Sequence, residues 1–528
     1  MSRCVSELAV LWIKERFGST ASVVAKALLS YGSLPLQLVG YRASLPVKQV
    51  KRALSMLVEH ELVTHGCDDN GRVFYSFDVN QFNRVLQVPA CTLAIKTLYG
   101  QVAEAIVIQL SVHSKMPYNA ILDAVMKTLK PDATKFHEAF SKLVGAHFVC
   151  RSVPVSNAST SANEDYYPMF QDYAPDMFVV PGNLMKSSED VPTSRKRKLE
   201  SDGEGDSILW QLHFDKFEQL FRDKLVLTIV ESVTENDETT TDVVREMLRL
   251  SETKTPEHAA MSCSMAANDI VRLAVQSGTR ITRQMVEQGL AFLADHKSAV
   301  IRKCGDSGGG IYNVDFERAA ELLCQSSLEL LIREKFDVKG LRIFRLLIDK
   351  GHLDQNDIEK TAMLPSKDGK LLLYQMLTDG YVCTRELSKN TDFAPARTFY
   401  LFHVDLPGLA RTQEQLCYKI LRNLTCRRWH EQKEHQSLVQ REEKMQTILA
   451  NIRSDGSLDD QAKEQQTAEV EQQYMTPAER ELLQKFQLAL KIMHQMEMSV
   501  QQSLFMWSTY LKYQKRALPP SKTRGAAV

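Results

Sequence analysis

The ten cysteines of this chain stand singly, at 4, 67, 91, 150, 263, 304, 324, 383, 417 and 426, with no CxxC pair among them. A zinc ribbon needs such pairs and a disulfide framework needs ordered spacing, so neither is predicted; the expected compartment is reducing and intracellular. Charge of one sign is missing too, since 65 Lys and Arg stand against 65 Asp and Glu. That balance excludes coating of nucleic acid or an acidic membrane by bulk charge, and leaves DNA contact to local basic patches. Long apolar runs are absent: the strongest cluster, Ala105 to Leu110, is far shorter than the ~20 residues of a membrane helix. Met1 to Phe17 alternates apolar and charged residues, unlike the uninterrupted core of a signal peptide. With 44% hydrophobic and 25% charged residues, wholesale disorder is excluded, and 528 residues at ~150 per domain suggest three or four domains.

Catalytic signatures are missing as well. His430 and His435 bracket a sequence like a zinc-protease helix, but that motif needs histidines four apart. Five apart, they point about 140° away from each other. Gly305 to Gly310 precedes a strand-like segment and fits neither a dinucleotide fingerprint nor a P-loop, so it is read as a hairpin turn. There is no Gly-x-Ser-x-Gly elbow and no kinase signature set. Asp68-Asp69 and Asp459-Asp460 fall in turn-like or polar sequence and are read as solvated. No catalytic residue, metal or cofactor is predicted, and the chain is expected to be non-catalytic by itself.

What the sequence does contain is a repeat. Ala53–Val63, Ala139–Val149, Gly289–Val300 and Leu372–Val382 each join an amphipathic helix end to a polar corner and an aliphatic strand start. Leu57, Leu143, Leu293 and Leu377 are assigned the equivalent core position. Three copies are followed by a return strand: Arg72–Val79, Ile311–Phe316 and Arg397–Val404, in which aromatic or β-branched residues alternate with polar ones. Asp69-Asn70-Gly71 supplies the turn before the first. The second copy shows no return strand nearby. In the first unit the helix-like segments Ser22–Ser30 and Leu36–Tyr41 come earlier, and Leu45-Pro46 opens a third helix at Val47. In the last, Leu341–Lys350 and Gln355–Met363 precede Lys367–Thr378. Three helices and a two-stranded wing in this order describe a winged helix. A helical solenoid is the competing arrangement, but its repeats do not carry a hairpin after every third helix.

The C-terminal region changes period. Phe486, Met493, Val500 and Trp507 share one heptad position; Leu490, Leu504 and Leu511 share the other, with Glu497 as its polar member. Thr476, Pro477 and Glu479 spell a capped helix start. An earlier helix, about Arg411 to Ile452, has a partial seam of Cys417, Leu421, Leu424, Leu438, Met445, Leu449 and Ile452, broken by Arg428, Glu431 and His435. Ser454-Asp455-Gly456-Ser457 lets the chain turn back, which predicts an antiparallel hairpin. The fold class is therefore mainly α with small β wings: four tandem winged helices plus a C-terminal antiparallel coiled-coil stalk. The expected domains are 1–85 and 86–152 for the first two winged helices and 153–206 for a mobile insertion or linker. The third winged helix takes 207–325, with an insertion at about 251–278; the fourth takes 326–408, the stalk 409–516 and a tail 517–528.

The third helix of a winged helix usually faces the DNA major groove while the wing reaches a neighbouring groove or phosphate. In the first unit that helix offers Lys48, Gln49, Lys51 and Arg52, and Arg72 begins the returning wing strand. Lys and Arg neutralise phosphates, and Gln can contact phosphate or read adenine; a soluble basic face is the alternative. The second unit offers Lys135 and Lys142 around Glu138, the third Arg283, the fourth Lys367 and Lys370, faces that suit protein contacts at least as well. Arg195, Lys196, Arg197 and Lys198 form a nuclear-import candidate, although such runs are common in solvated loops.

The chain resembles the third-subunit family of eukaryotic RNA polymerase III, which is itself similar to the alpha subunit of general transcription factor IIE. The likeness covers nearly the whole chain and is carried by Glu7–Gly18, Tyr31–Leu36, Gln49–Val58, Thr97–Tyr99 and the stalk. It implies extended winged helices around a coiled coil, docked on the polymerase clamp of the largest subunit. It implies partnership with other polymerase III subunits, above all the two other members of the initiation heterotrimer. It further implies action in the nucleus on promoter DNA, double-stranded or melted, during promoter opening, with the catalytic magnesium held by the two largest subunits. Two readings compete. A scaffold of the proteasome-lid or endosomal-sorting kind would place one winged helix after a long solenoid. A stand-alone IIE alpha homologue would carry a zinc ribbon, against which the missing CxxC pairs count.

Overall fold

The computed structural model describes residues 3–68, 71–129, 132–152, 177–181, 208–235, 237–252, 254–256, 259–278, 281–388, 398–454, 466–467, 470 and 473–517. The chain divides into two compact units, Met1–His213 with Gln415–Ser503, and Phe214–Glu414 with Leu504–Val528.

In the first unit, helix Arg3–Phe17 leads into helices Ser19–Tyr31, Leu36–Ala43 and Val47–Glu59, then strands β2 (Val63–Cys67) and β3 (Val73–Phe77). A two-residue strand, β1 (Leu34–Pro35), sits before the second of these three helices, and the sheet order is β1-β3-β2. The third helix starts where it does for local reasons. Ser44 is left-handed at φ 53°, the Leu45 amide donates to the Gly40 carbonyl at 3.2 Å, and Pro46 is extended. These close one helix and aim the next. Its apolar stripe, Val50, Ala53, Leu54 and Leu57, is buried, as a 3.6-residue period dictates.

The pattern then repeats within the same unit. Helix Val88–Tyr99 precedes Gln101–His113, β4 (Lys115–Pro117), Tyr118–Leu129, Ala133–Gly145 and β5 (Val149–Arg151). The return strand of this second sheet is β6, Leu209–Leu212, paired with both β4 and β5 in the order β4-β6-β5. It lies beyond the 86–152 span expected for the second winged helix, because its partner strand and turn are not adjacent in sequence and no local hairpin signal exists. Residues 177–181, inside the span expected to be a mobile insertion, are partly fixed as well. The Met177 carbonyl accepts from the Arg151 amide at 3.0 Å, and the Phe178 ring stacks on His147 at 4.0 Å.

The second unit holds two further copies. Helix Phe214–Val233 precedes Glu238–Glu252, β7 (Met265–Ala266), Ala267–Gln276, Arg283–Asp295, β8 (Ile301–Gly305) and β9 (Ile311–Val314), with order β7-β9-β8. The expected insertion at about 251–278 thus contains the short strand and second helix of its winged helix. Asp315 then caps the next helix by accepting from the Arg318 amide at 2.9 Å. That helix, Phe316–Lys350, breaks at left-handed Asp337 (φ 58°), separating the leading helix from the first helix of the fourth copy. Gln355–Thr361, Ser366–Thr378, β10 (Cys383–Ser388) and β11 (Thr398–His403) complete it, with Leu353 bridging to Phe402 where the other copies have a short strand.

The corner between third helix and wing is nearly the same object in three copies. Glu61, His147 and Gly380 are left-handed, and the next amides, Leu62, Phe148 and Tyr381, donate back to Leu57, Leu143 and Met376. This is a Schellman closure. It corrects the fourth alignment by one residue: Met376 is 0% exposed, whereas Leu377 is only half-buried.

Helices Leu406–Glu434, Gln436–Ser454 and Pro477–Ala517 make up the C-terminal region, so the expected single helix to Ile452 is interrupted at His435. Within the first unit, Phe486 meets His435 (4.9 Å between rings), Arg428 meets Glu497 (3.1 Å) and Arg441 meets Glu479 (2.8 Å), an antiparallel order. Leu483, Phe486 and Met475 form a cluster with Val439, Met445, Tyr474 and Leu490. Glu479 and Thr476 make the reciprocal cap, 3.0 and 3.3 Å. The polar seam residues are not simple breaks. Arg428 Nη1 and Nη2 also reach Glu15 at 2.5 and 3.2 Å, so two carboxylates flank one guanidinium at a half-buried position. In the second unit Leu504, Trp507 and Leu511 are buried, but so are Phe505, Met506, Tyr510 and Tyr513. The buried face there is wider than one heptad edge, while Gln502, just before it, and Lys512 stay exposed. Of the expected turn, Ser454 ends the second of these helices, and Asp455, Gly456 and Ser457 lie outside the described residues.

Candidate nucleic-acid interface

Lys48, Gln49, Lys51 and Arg52 are all exposed on the first third helix, opposite its buried stripe. Lys48, Lys51, Arg52 and Ser55 follow the three-and-four spacing of one helical face. Arg72 is exposed at the wing tip, where Gly71 is left-handed and the Asp68 amide donates to the Arg72 carbonyl at 2.9 Å. The five-residue strand β2 separates it from the helix–wing corner by roughly 16 Å, so helix and wing present separate basic points. Arg195–Lys198 lies outside the described residues.

Pairing distinguishes this helix from its second and third counterparts, though not from the fourth. Among the described residues no ion pair engages Lys48, Lys51, Arg52 or Arg72. On the second third helix Lys135 pairs with Asp132 (3.1 Å) and Lys142 with Glu138 (4.0 Å). On the third, Arg283 pairs with Glu287 at 2.8 Å. On the fourth, Lys367 and Lys370 are exposed beside the exposed apolar residues Leu371 and Tyr374. At the base of the first interface His60 ends the helix and packs on Phe17 (4.7 Å between rings). Burial, then the charges of Arg16 and His113, push its pKa down to about 4.

The histidine pair of the C-terminal region resolves into separate contacts, His430 to Glu434 (3.5 Å) and His435 to Glu431 (3.7 Å). Among the described residues Glu431, Glu434 and His435 bring ligand atoms within 4.8 Å of one another. Glu431 is shared with Arg427 as well as His435, so its charge is already engaged. No helix among the described residues is long and apolar enough to cross a membrane.

Helix triads closed by wings, with an exposed basic third helix in the first copy, define a winged-helix protein of mainly helical class. Residues 7–66 match the family described as "RNA polymerase III subunit RPC82 helix-turn-helix domain", 168–323 "RNA polymerase III subunit RPC82", and 328–404 "POLR3C, C-terminal winged-helix domain". "DNA-directed RNA polymerase III subunit RPC3" of Bos taurus is 32% identical over 97% of this chain and 99% of its own length. The protein of the same name from Homo sapiens is 31% identical over the same shares, and that of Danio rerio 32% over 96% and 97%. The chain belongs to the RNA polymerase III subunit RPC3 family.

Proposed function

We propose that this chain is a non-catalytic subunit of nuclear DNA-directed RNA polymerase III that acts in transcription initiation. It serves within a three-subunit subcomplex, docks on the clamp of the largest subunit and helps open promoter DNA and handle the template strand at genes for small structured RNAs. Full-length similarity to subunits bearing that name carries the reading. The unpaired basic face of the first third helix supports a DNA contact through Lys48, Gln49, Lys51 and Arg52, with Arg72 on the wing. Catalysis is assigned to other subunits of the enzyme. The test is capture of the tagged full-length chain from nuclear extract, with partner identification, followed by depletion and add-back in transcription from closed and pre-melted templates. Recovery of polymerase III subunits and a requirement greatest on closed templates is expected. Capture without the polymerase would reject the assignment; an equal requirement on both templates would reject the role in opening.

A further inference from the structure

An apolar heptad seam does not by itself choose one alignment. Phe486, Leu490, Met493 and Val500 on one stalk helix, and Leu421 and Leu424 on the other, are buried or half-buried, and a slip of one heptad returns every side chain to the seam. What a slip cannot reproduce is the polar layer. The side chains of Arg428 and Glu497 are each only 14% exposed, and they meet at 3.1 Å. Slipped by one heptad, Arg428 would face Leu490, a guanidinium set among apolar side chains with no counter-charge, which is strongly unfavourable.

The neighbouring polar residues cannot replace it. Glu431 pairs with Arg427 and His435 along its own helix, and contacts within one helix are blind to the alignment of the other. Arg441 and Glu479 do meet across the seam, but at 45% and 29% exposure, where solvent screens them.

The same guanidinium also reaches a third helix. Its Nη1 and Nη2 donate to Glu15 on the leading helix Arg3–Phe17. Farther along, Glu7 pairs with Arg422 at 2.9 Å, and Lys14 Nζ lies 4.8 Å from the Trp429 ring centroid. Residues 7 to 15 thus run beside 422 to 429 in the same direction. That leading helix packs on helix Ser19–Tyr31 of the first winged helix. A planar fork of five donors can serve two carboxylates at once, which the point charge of a lysine does less well.

We infer that Glu15, Arg428 and Glu497 form a register pin. Arg428 is a positioning residue: it selects one alignment of the antiparallel stalk and, through Glu15, fixes where the first winged helix stands on it.

Two distances in the full-length chain test the pin. They are read by pulsed electron spin resonance between labels on unnatural amino acids, because ten native cysteines exclude thiol labelling. Exposed Lys444 and Lys485 report the alignment, and exposed Ser55 with Lys485 reports the winged helix. Wild type should give one narrow distance for each. Arg428→Met/Glu497→Leu makes the layer apolar and should unfold at the same or a higher denaturant concentration. Its first distance should nevertheless split, between alignments about 10 Å apart along the stalk. Glu15→Ala should leave the first distance single and broaden the second. The reversal Glu15→Arg/Arg428→Glu/Glu497→Arg should recover both single distances. Unchanged distances in the apolar variant would overturn the pin. Lower stability there without a second alignment would make Arg428 a packing residue alone and overturn it too. If the apolar variant fails to fold, the reversal decides: single distances support the pin, and mixed ones overturn it. An unchanged second distance in Glu15→Ala would overturn the coupling to the winged helix.

Discussion

The first and second third helices share an architecture and differ in what their lysines touch. Both bury a helical stripe, end in the same left-handed corner and feed a three-stranded sheet. Yet Lys135 and Lys142 face acids three and four residues away, whereas Lys48, Lys51 and Arg52 face none among the described residues. A cation whose partner is built into its own helix has a competing anion beside any phosphate. The two copies therefore differ in a few surface residues and not in the fold.

The core should make the two helices equal. Leu57 and Leu143 are both 0% exposed, so Leu57→Ala and Leu143→Ala should each cost about 2–5 kcal/mol in chemical unfolding. A large disparity would mean the two corners are not equivalent. In the fourth copy Met376→Ala should cost more than Leu377→Ala; the reverse order would restore the alignment read from sequence.

The surface should then make them unequal. Removing Lys48, Lys51 and Arg52 together should lower the salt slope by ~2.7 on duplex or ~2.1 on single strands, if each meets one phosphate. Lys135→Ala/Lys142→Ala should change it far less. Equal slopes for the two variants would abolish the distinction.

Acid should single out the first corner. The His60 pKa is lowered to about 4 from 6.5, so folding favours its neutral form. That contribution is complete above pH 6.5 and is lost as pH falls toward 4. Ala146 occupies the matching helix end in the second copy and has nothing to titrate. Stability followed by denaturant titration between pH 7 and 4 should fall less steeply in His60→Ala than in wild type; parallel curves would rule out a contribution from His60.

The smallest effect sharpens the comparison from the other side. Glu138→Gln frees Lys142 from an exposed pair, at a stability cost of about 0.3–0.5 kcal/mol. DNA affinity should rise slightly at low salt and not at high salt. A fall would show that Lys142 needs its partner to be positioned.

Helical period made the buried stripe and exposed cations of the first interface legible, because both follow from spacing along one helix. The pairing of Lys142 was also open to reading, from Glu138 four residues earlier. The Glu15–Arg428 contact was not, since its members come from two helices whose approach depends on packing. The same limit hid β6, whose partner is distant in sequence, and the helix within 251–278, whose flanking loops masked its period. Arg428 and Glu497 were visible separately as defects in two seams; only antiparallel pairing turns them into partners. The fourth corner slipped by one residue because Met376 and Leu377 are both apolar, and only the left-handed Gly380 decides between them.

The strand β6 also sets a schedule. Trp210, fully buried, belongs to the core of the second winged helix, yet it follows Arg151 by roughly 60 residues of chain, which a ribosome adds in about 3–12 s. Until then the nascent second sheet lacks its middle strand, and β4 and β5 have bare edges. The first winged helix, whose sheet is complete by Phe77, is under no such delay. During synthesis the chain therefore carries one finished domain beside one open to mispairing, and this interval is when a chaperone has most to protect.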